Sequence, residues 1–155
     1  MTLQLTIIIS IMKISLQNKL NLTKAKSYAT KLNGVTSFKI SLLHEDDFVW
    51  HRKMLKEINK IDNFIERKSF NIPLNINSLI SLFASTLNVQ KNINCNIFYV
   101  GEVCISLCVE DLSAFILSLF SINGTYDFSL AFTSPDRVIV LSDNEYEVEF
   151  YYMHK

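Results

Sequence analysis

From residue 93 to its carboxy terminus the chain is divided by turn residues into short runs of alternating or apolar character, and that pattern commits it to a β-sheet. Residues 94–100 and 103–109 flank Gly101-Glu102, where glycine in the first central position suits a two-residue type II′ hairpin. Such a turn pairs Val100 with Val103 and Cys95 with Cys108. It places Phe98, Val100, Val103, Ile105 and Leu107 on the core face and all three cysteines on the other. Leu112, Phe115, Ile116 and Leu119 then repeat at helical spacing, with Glu110 and Asp111 before them and Asn123-Gly124 as a stop. Residues 126–133 alternate again, with Tyr126, Phe128, Leu130 and Phe132 on one side. After Ser134-Pro135-Asp136, residues 137–141 are apolar on both faces, as a central strand requires. Ser142-Asp143-Asn144 turns the chain into a last strand over 145–152.

The first 92 residues read differently. A helix is predicted over 21–32, with Thr23 as its cap and Asn33-Gly34 as its stop. A strand follows over 35–43. His44-Glu45-Asp46-Asp47 opens a second helix, predicted to run to about Lys68. Its stripe is Trp50, Met54, Ile58, Ile61 and Ile65, spaced 4, 4, 3 and 4 apart. Pro73 breaks the chain, and Asn77 caps a third helix over 78–88 with Leu79, Ile80, Leu82, Phe83 and Leu87 as its apolar set. The expected fold class is therefore α+β: N-terminal helices followed by β-β-α-β-β-β, the helices packed on a mostly antiparallel sheet. At 155 residues and 49% hydrophobic content the chain suits a single domain, 1–155, with a sizeable core. Within it, 12–92 is expected to be mainly helical and 93–155 mainly strand. Trp50, Ile58, Phe83, Phe98, Ile105, Phe115, Phe128 and Val140 are the residues expected to be buried.

Residues 3–11 form a short apolar run. No Lys or Arg precedes it and no Ala-x-Ala-like site follows, so it does not read as a secretory signal. It is also too short to span a membrane. Two readings stay open: a strand, since Ile and Thr suit strands, or an extension 1–11 ahead of a start at Met12. Met-Lys-Ile-Ser at 12–15 favours the second. With no transmembrane stretch, no membrane partner is expected, and a cytoplasmic location with reduced cysteines is.

The 15 basic and 15 acidic residues cancel, but they are not mixed. Residues 1–92 hold 13 basic and 6 acidic groups, a net +7, and residues 93–155 hold 2 and 9, a net −7. Either the halves neutralise each other in the fold, or a charged segment faces a partner. On the last strand Glu145, Glu147 and Glu149 alternate with Tyr146, Val148 and Phe150, so a period of two puts the glutamates on one face. Asp143 extends the row, and Asp127 is a weaker addition. These five are the candidate partner-binding residues, a carboxylate face for a basic partner. The competing reading is an ordinary solvated strand face. Lys24 and Lys31, seven apart, share a helix face of the kind that binds phosphate. Near-absence of Arg, and lysines without interleaved aromatics, argue against nucleic acid.

Reactive side chains form no recognisable pattern. His44, His51 and His154 match no metal spacing, the cysteines form no CxxC pair, and three glycines cannot build a phosphate-cradling loop. No catalytic residue, metal or cofactor is expected, and the chain is read as a non-enzyme. With 18 Ile, 14 Asn and 12 Lys against 3 Arg and 5 Ala, the composition points to an AT-rich gene, as in an AT-rich bacterium or a mobile island.

Four segments carry a family resemblance: Phe98-Tyr99-Val100-Gly101-Glu102, Val109-Glu110-Asp111-Leu112, Tyr126-Asp127-Phe128, and Ser134-Pro135-Asp136-Arg137 leading into a hydrophobic strand. Over residues 93–152 this succession of strand, helix and turn positions resembles small bacterial immunity proteins of polymorphic-toxin and contact-dependent growth-inhibition systems. The resemblance implies a cytoplasmic protein without catalysis that binds and neutralises a cognate toxin domain, often a nuclease, by occluding its active or substrate-binding site. A basic toxin would meet the acidic segment. The pattern includes no diagnostic motif, so no functional residue transfers by position, and the helical first half has no counterpart in it. The rival reading is a small nucleic-acid-binding regulator using the Lys-rich first half.

Overall fold

A computed structural model describes residues 2–60, 66–89, 91–100 and 102–155, with Thr2, Leu3 and Asn59 described by backbone alone. The elements follow one another as α1 (Thr2–Thr30), β1 (Val35–Leu42), α2 (Val49–Glu57, extended by a 3-10 turn Ile58–Lys60), β2 (Glu66–Asn71), α3 (Ile76–Leu87), β3 (Ile93–Tyr99), β4 (Val103–Val109), α4 (Leu112–Asn123), β5 (Phe128–Phe132), β6 (Arg137–Asp143) and β7 (Glu147–His154). The strands form one sheet in the order β1-β4-β3-β5-β6-β7-β2, with antiparallel pairings. This is the expected α+β class, and the second half supplies β-β-α-β-β-β.

Pleating sorts the strands into two faces. One carries Ile105 and Leu107 of β4, Leu130 and Phe132 of β5, Ile139 and Leu141 of β6, and Val148 and Phe150 of β7, all at most 3% exposed. The seated end of α1 (Ala25, Ala29), α3 (Leu79, Phe83) and α4 (Phe115, Ile116, Leu119) close over it as one core. Phe83 stacks on Phe128 and meets Phe150 edge-on, at centroid distances of 5.9 and 5.3 Å. Phe83 and Phe150, both fully buried, each contribute about 1.5–3 kcal/mol by leaving water. On the opposite face α2 covers one area only, where Trp50, Met54 and Leu55 pack on Phe98, Ala131, Val138 and Met153.

Several expectations are corrected. No strand forms over residues 3–11: α1 runs unbroken through them, because no Gly or Pro interrupts residues 2–30. Thr23 caps nothing; its Oγ1 donates to the Lys19 carbonyl 2.9 Å away, inside the helix. The second helix does not reach Lys68. It starts after Phe48, at φ 53° and without a side-chain cap, and residues 66–71 pair with β7 as an edge strand. His44–Asp47 is a turn in which Asp47 Oδ2 accepts the His44 N–H at 2.9 Å. Ile61 and Ile65 of the proposed stripe lie outside the described residues. The supposedly helical first half thus supplies both edge strands. Asn75, not Asn77, caps α3, accepting from Ser78 N at 3.2 Å.

The hairpin register is also shifted. Tyr99, not Val100, pairs with Val103, so three residues separate β3 from β4; Gly101 lies outside the described residues, and Glu102 has φ 60°. A slip of one residue exchanges the faces of β3. Cys95 therefore faces the core opposite Leu107, while Cys104 and Cys108 point to the other side. Phe98 sits half-buried under α2, and Val100 is exposed. Of the expected core, Phe83, Ile105 and Phe115 are buried. Trp50, Ile58, Phe98, Phe128 and Val140 are only half-buried. For Trp50 and Phe98 the reason is that short α2 covers so little of its face. The last strand begins at Glu147, two residues later than expected.

Candidate functional site

The five candidate carboxylates divide by what they touch. Asp127, just before β5, and Asp143, at the end of β6, tie together the end of that strand pair opposite its turn at residues 133–136. Asp127 Oδ1 accepts the Asp143 backbone N–H, and Asp143 Oδ2 accepts from Tyr126 N at 3.2 Å and Thr125 Oγ1 at 3.1 Å. These bonds satisfy donors that lie beyond the last pair of the β5–β6 ladder, so both aspartates are structural before they are anything else. Glu147 and Glu149 project from the same face of β7, as alternation predicts, whereas Glu145 lies exposed in the bend before the strand. Arg67 on the neighbouring β2 reaches Glu149 Oε1 at 2.9 Å, stacks over the Tyr151 ring at 5.3 Å, and leaves Glu149 Oε2 to accept from the Tyr151 hydroxyl. The Tyr151 hydroxyl and Arg67 hold the Glu149 carboxyl below its ordinary pKa. Glu145 and Glu147 have no ion pair among the described residues.

Opposite charges of the two halves therefore meet in few places. Among the described residues one Lys or Arg of the first half, Arg67, pairs with an acid of the second. His51 approaches another, its Nε2 lying 3.4 Å from Asp136 Oδ1. That imidazole is buried between the Phe48 and Trp50 rings, and its Nε2–H donates to the Phe132 carbonyl at 2.7 Å, tying α2 to β5. Packing and a backbone bond account for His51.

Tertiary structure assembles one constellation that was missed. Lys24, Ser27 and Tyr28 of α1 and Lys31 in the turn after it line a cleft of about 460 Å³ with Tyr99 and Asn123. The Tyr28 and Tyr99 rings lie 5.1 Å apart, and the Tyr28 hydroxyl donates to Asn123 Oδ1 at 2.9 Å. Burial raises the Tyr28 pKa. Lys24, Tyr28 and Lys31 at i, i+4 and i+7 were legible as one helix face; Tyr99 enters only through the fold.

Cysteine chemistry is quiet. Burial pushes the Cys95 thiol up to about 12 and also raises that of Cys104, so both stay protonated and poorly nucleophilic. All three cysteines are free. Among the described residues no group of three or more His, Cys, Asp or Glu side chains is placed to hold a metal ion, and no helix is long and apolar enough to cross a membrane. No protein-family model, curated protein or solved structure matches this chain.

Proposed function

We propose that this protein is an immunity protein that binds a basic toxin domain and occludes its active or substrate-binding site, without catalysis of its own. One observation carries the reading: Glu145, Glu147 and Glu149 gather at the start of β7, in a half whose net charge of −7 meets few cations of the other half. Carboxylates presented this way stand where substrate phosphates would lie, and opposite charge speeds encounter. Glu145 and Glu147 are the available pair; Glu149 enters with its Arg67 and Tyr151 partners. Asp127 and Asp143 border the same region and act by keeping its backbone in place.

The test is calorimetry against the cognate basic toxin domain that this reading requires. Replacing Glu145, Glu147 and Glu149 together with Gln is expected to weaken binding about tenfold or more and to flatten its salt dependence. Thermal stability should hardly move, because a solvent-exposed pair such as Arg67–Glu149 contributes little. Unchanged affinity at both low and moderate salt would remove the acidic face from the interface.

The Lys24–Tyr28–Lys31–Tyr99 cleft favours the second reading, a nucleic-acid-binding regulator, since it sets aromatic rings beside cations as single-strand binding requires. Under that reading labelled single-stranded RNA binds with a steep salt slope, and Lys24→Gln with Lys31→Gln abolishes most of it. No binding at low salt would leave the toxin reading alone.

A further inference from the structure

Residues 4–17 of α1 are exposed, and the helix becomes seated only from Asn21 onward. Asn21, Ala25 and Ala29 are its buried contacts, and at 100° per residue they define the body-facing side of the helix. The opposite, outward side carries Leu5, Ile9, Met12, Leu16 and Leu20, each 47–64% exposed. Past Leu20 the same side continues as Thr23, Ser27 and Thr30, all exposed and polar. The outward side is thus apolar only along the part of the helix that projects beyond the body; there the other sides are apolar too, with Ile7, Ile8, Ile11 and Ile14 51–61% exposed, but only the outward side lies clear of the body for the whole length of the helix.

A helix with this much apolar surface does not persist alone in water. Spacings of 4, 3, 4 and 4 along the outward seam are those that another helix reads by knobs-into-holes packing. We propose that α1 pairs with α1 of a second copy of this chain through Leu5, Ile9, Met12, Leu16 and Leu20. Five half-exposed aliphatic side chains offer roughly 500 Å² per copy, so a pair buries about 1,000 Å², the lower bound for a specific interface. Because the seam faces away from the body, the two bodies lie on the far sides of the helix pair and do not collide. The seam contains no charge, while Lys13 and Lys19 flank it on either side. Added salt screens their repulsion, so self-association strengthens with salt, opposite in sign to binding through the acidic segment. A lipid surface fits less well: a helix lying in a headgroup layer needs a strongly charged face, and residues 2–18 hold a single charged side chain, Lys13. The pairing is independent of the toxin reading.

Sedimentation equilibrium of the full chain tests it. The wild type is expected to reach the mass of two copies. Ile9→Glu with Met12→Glu should weaken association at least about tenfold by placing carboxylates inside the seam. Ile11→Glu, on the body-facing side of the projecting segment, should leave it within about threefold. The thermal midpoint of the body, read well below the association range, should be the same in all three proteins, since residues 4–17 are solvated. A wild type that stays monomeric at every concentration overturns the proposal. Equal weakening by Ile11→Glu overturns it too, as does a monomer that floats with vesicles of phosphatidylglycerol and phosphatidylcholine.

Discussion

Replacing Phe115 with alanine is expected to destabilise the protein by about 3–5 kcal/mol, the range for emptying a closely packed aromatic site. Phe115 is 1% exposed on the inner side of α4, in the same core as Phe83 and Phe150. The core it belongs to is built from three helices and several strands, which cannot all move into the space a phenyl ring leaves. Chemical denaturation with a preserved m-value measures the loss directly. In thermal unfolding it appears as a fall of roughly 10 °C for a chain of this length. A loss under about 1 kcal/mol would mean that α4 does not close the core as described.

A comparable effect is expected at Gly34, where two independent costs add. Its φ is +71°, a conformation that costs an alanine about 1–2 kcal/mol. A Cβ there would also lie 2.3 Å from the Asp111 carbonyl oxygen and 3.1 Å from Phe115 N. That carbonyl cannot retreat freely. It accepts the Phe115 N–H at 3.0 Å, and the Gly34 carbonyl itself accepts from Glu110 N at 2.8 Å and Asp111 N at 3.1 Å. Moving the backbone at Asp111 breaks the bonds that join the end of α1 to the start of α4. Gly34→Ala should therefore cost about 3 kcal/mol or more. Gly124→Ala supplies the comparison: its φ is +67°, but its Cβ would meet nothing within 4 Å. Only the conformational term remains there, about 1 kcal/mol. Equal losses at the two glycines would show that the contact with Asp111 is absent.

Candidate site residues were partly visible before the fold. Alternation along 145–152 correctly placed Glu147 and Glu149 on one face. It did not show Arg67 beside them, because that partner is 82 positions away and arrives only when β2 pairs with β7. Nor did it distinguish Asp127 and Asp143, whose side chains are engaged with backbone, from Glu145, which is exposed. Charge counts are additive along the chain, whereas whether a carboxylate is spent on a turn depends on the donors that folding brings to it.

The α+β class, the helix α4 and the succession of elements after residue 93 were determined by the sequence, through signals that act over a few residues: periodicity, Glu110 and Asp111 ahead of the helix, Asn123-Gly124 as stop. Long-range structure decided the rest. A hairpin one residue longer than its turn signal suggested moved Cys95 into the core and Phe98 out of it. The stretch after α2 became an edge strand because β7 offered an unpaired row of backbone donors and acceptors, a demand that no local window records. The reach of α1 was settled by backbone continuity alone, with no breaker before Thr30, while the burial of its second half depended on where β1, β4 and α4 came to lie. Local free-energy differences of tenths of a kcal/mol per residue choose helix or turn. Burial of whole side chains, worth several times more, chooses register and partner, and it exists only once distant segments have met.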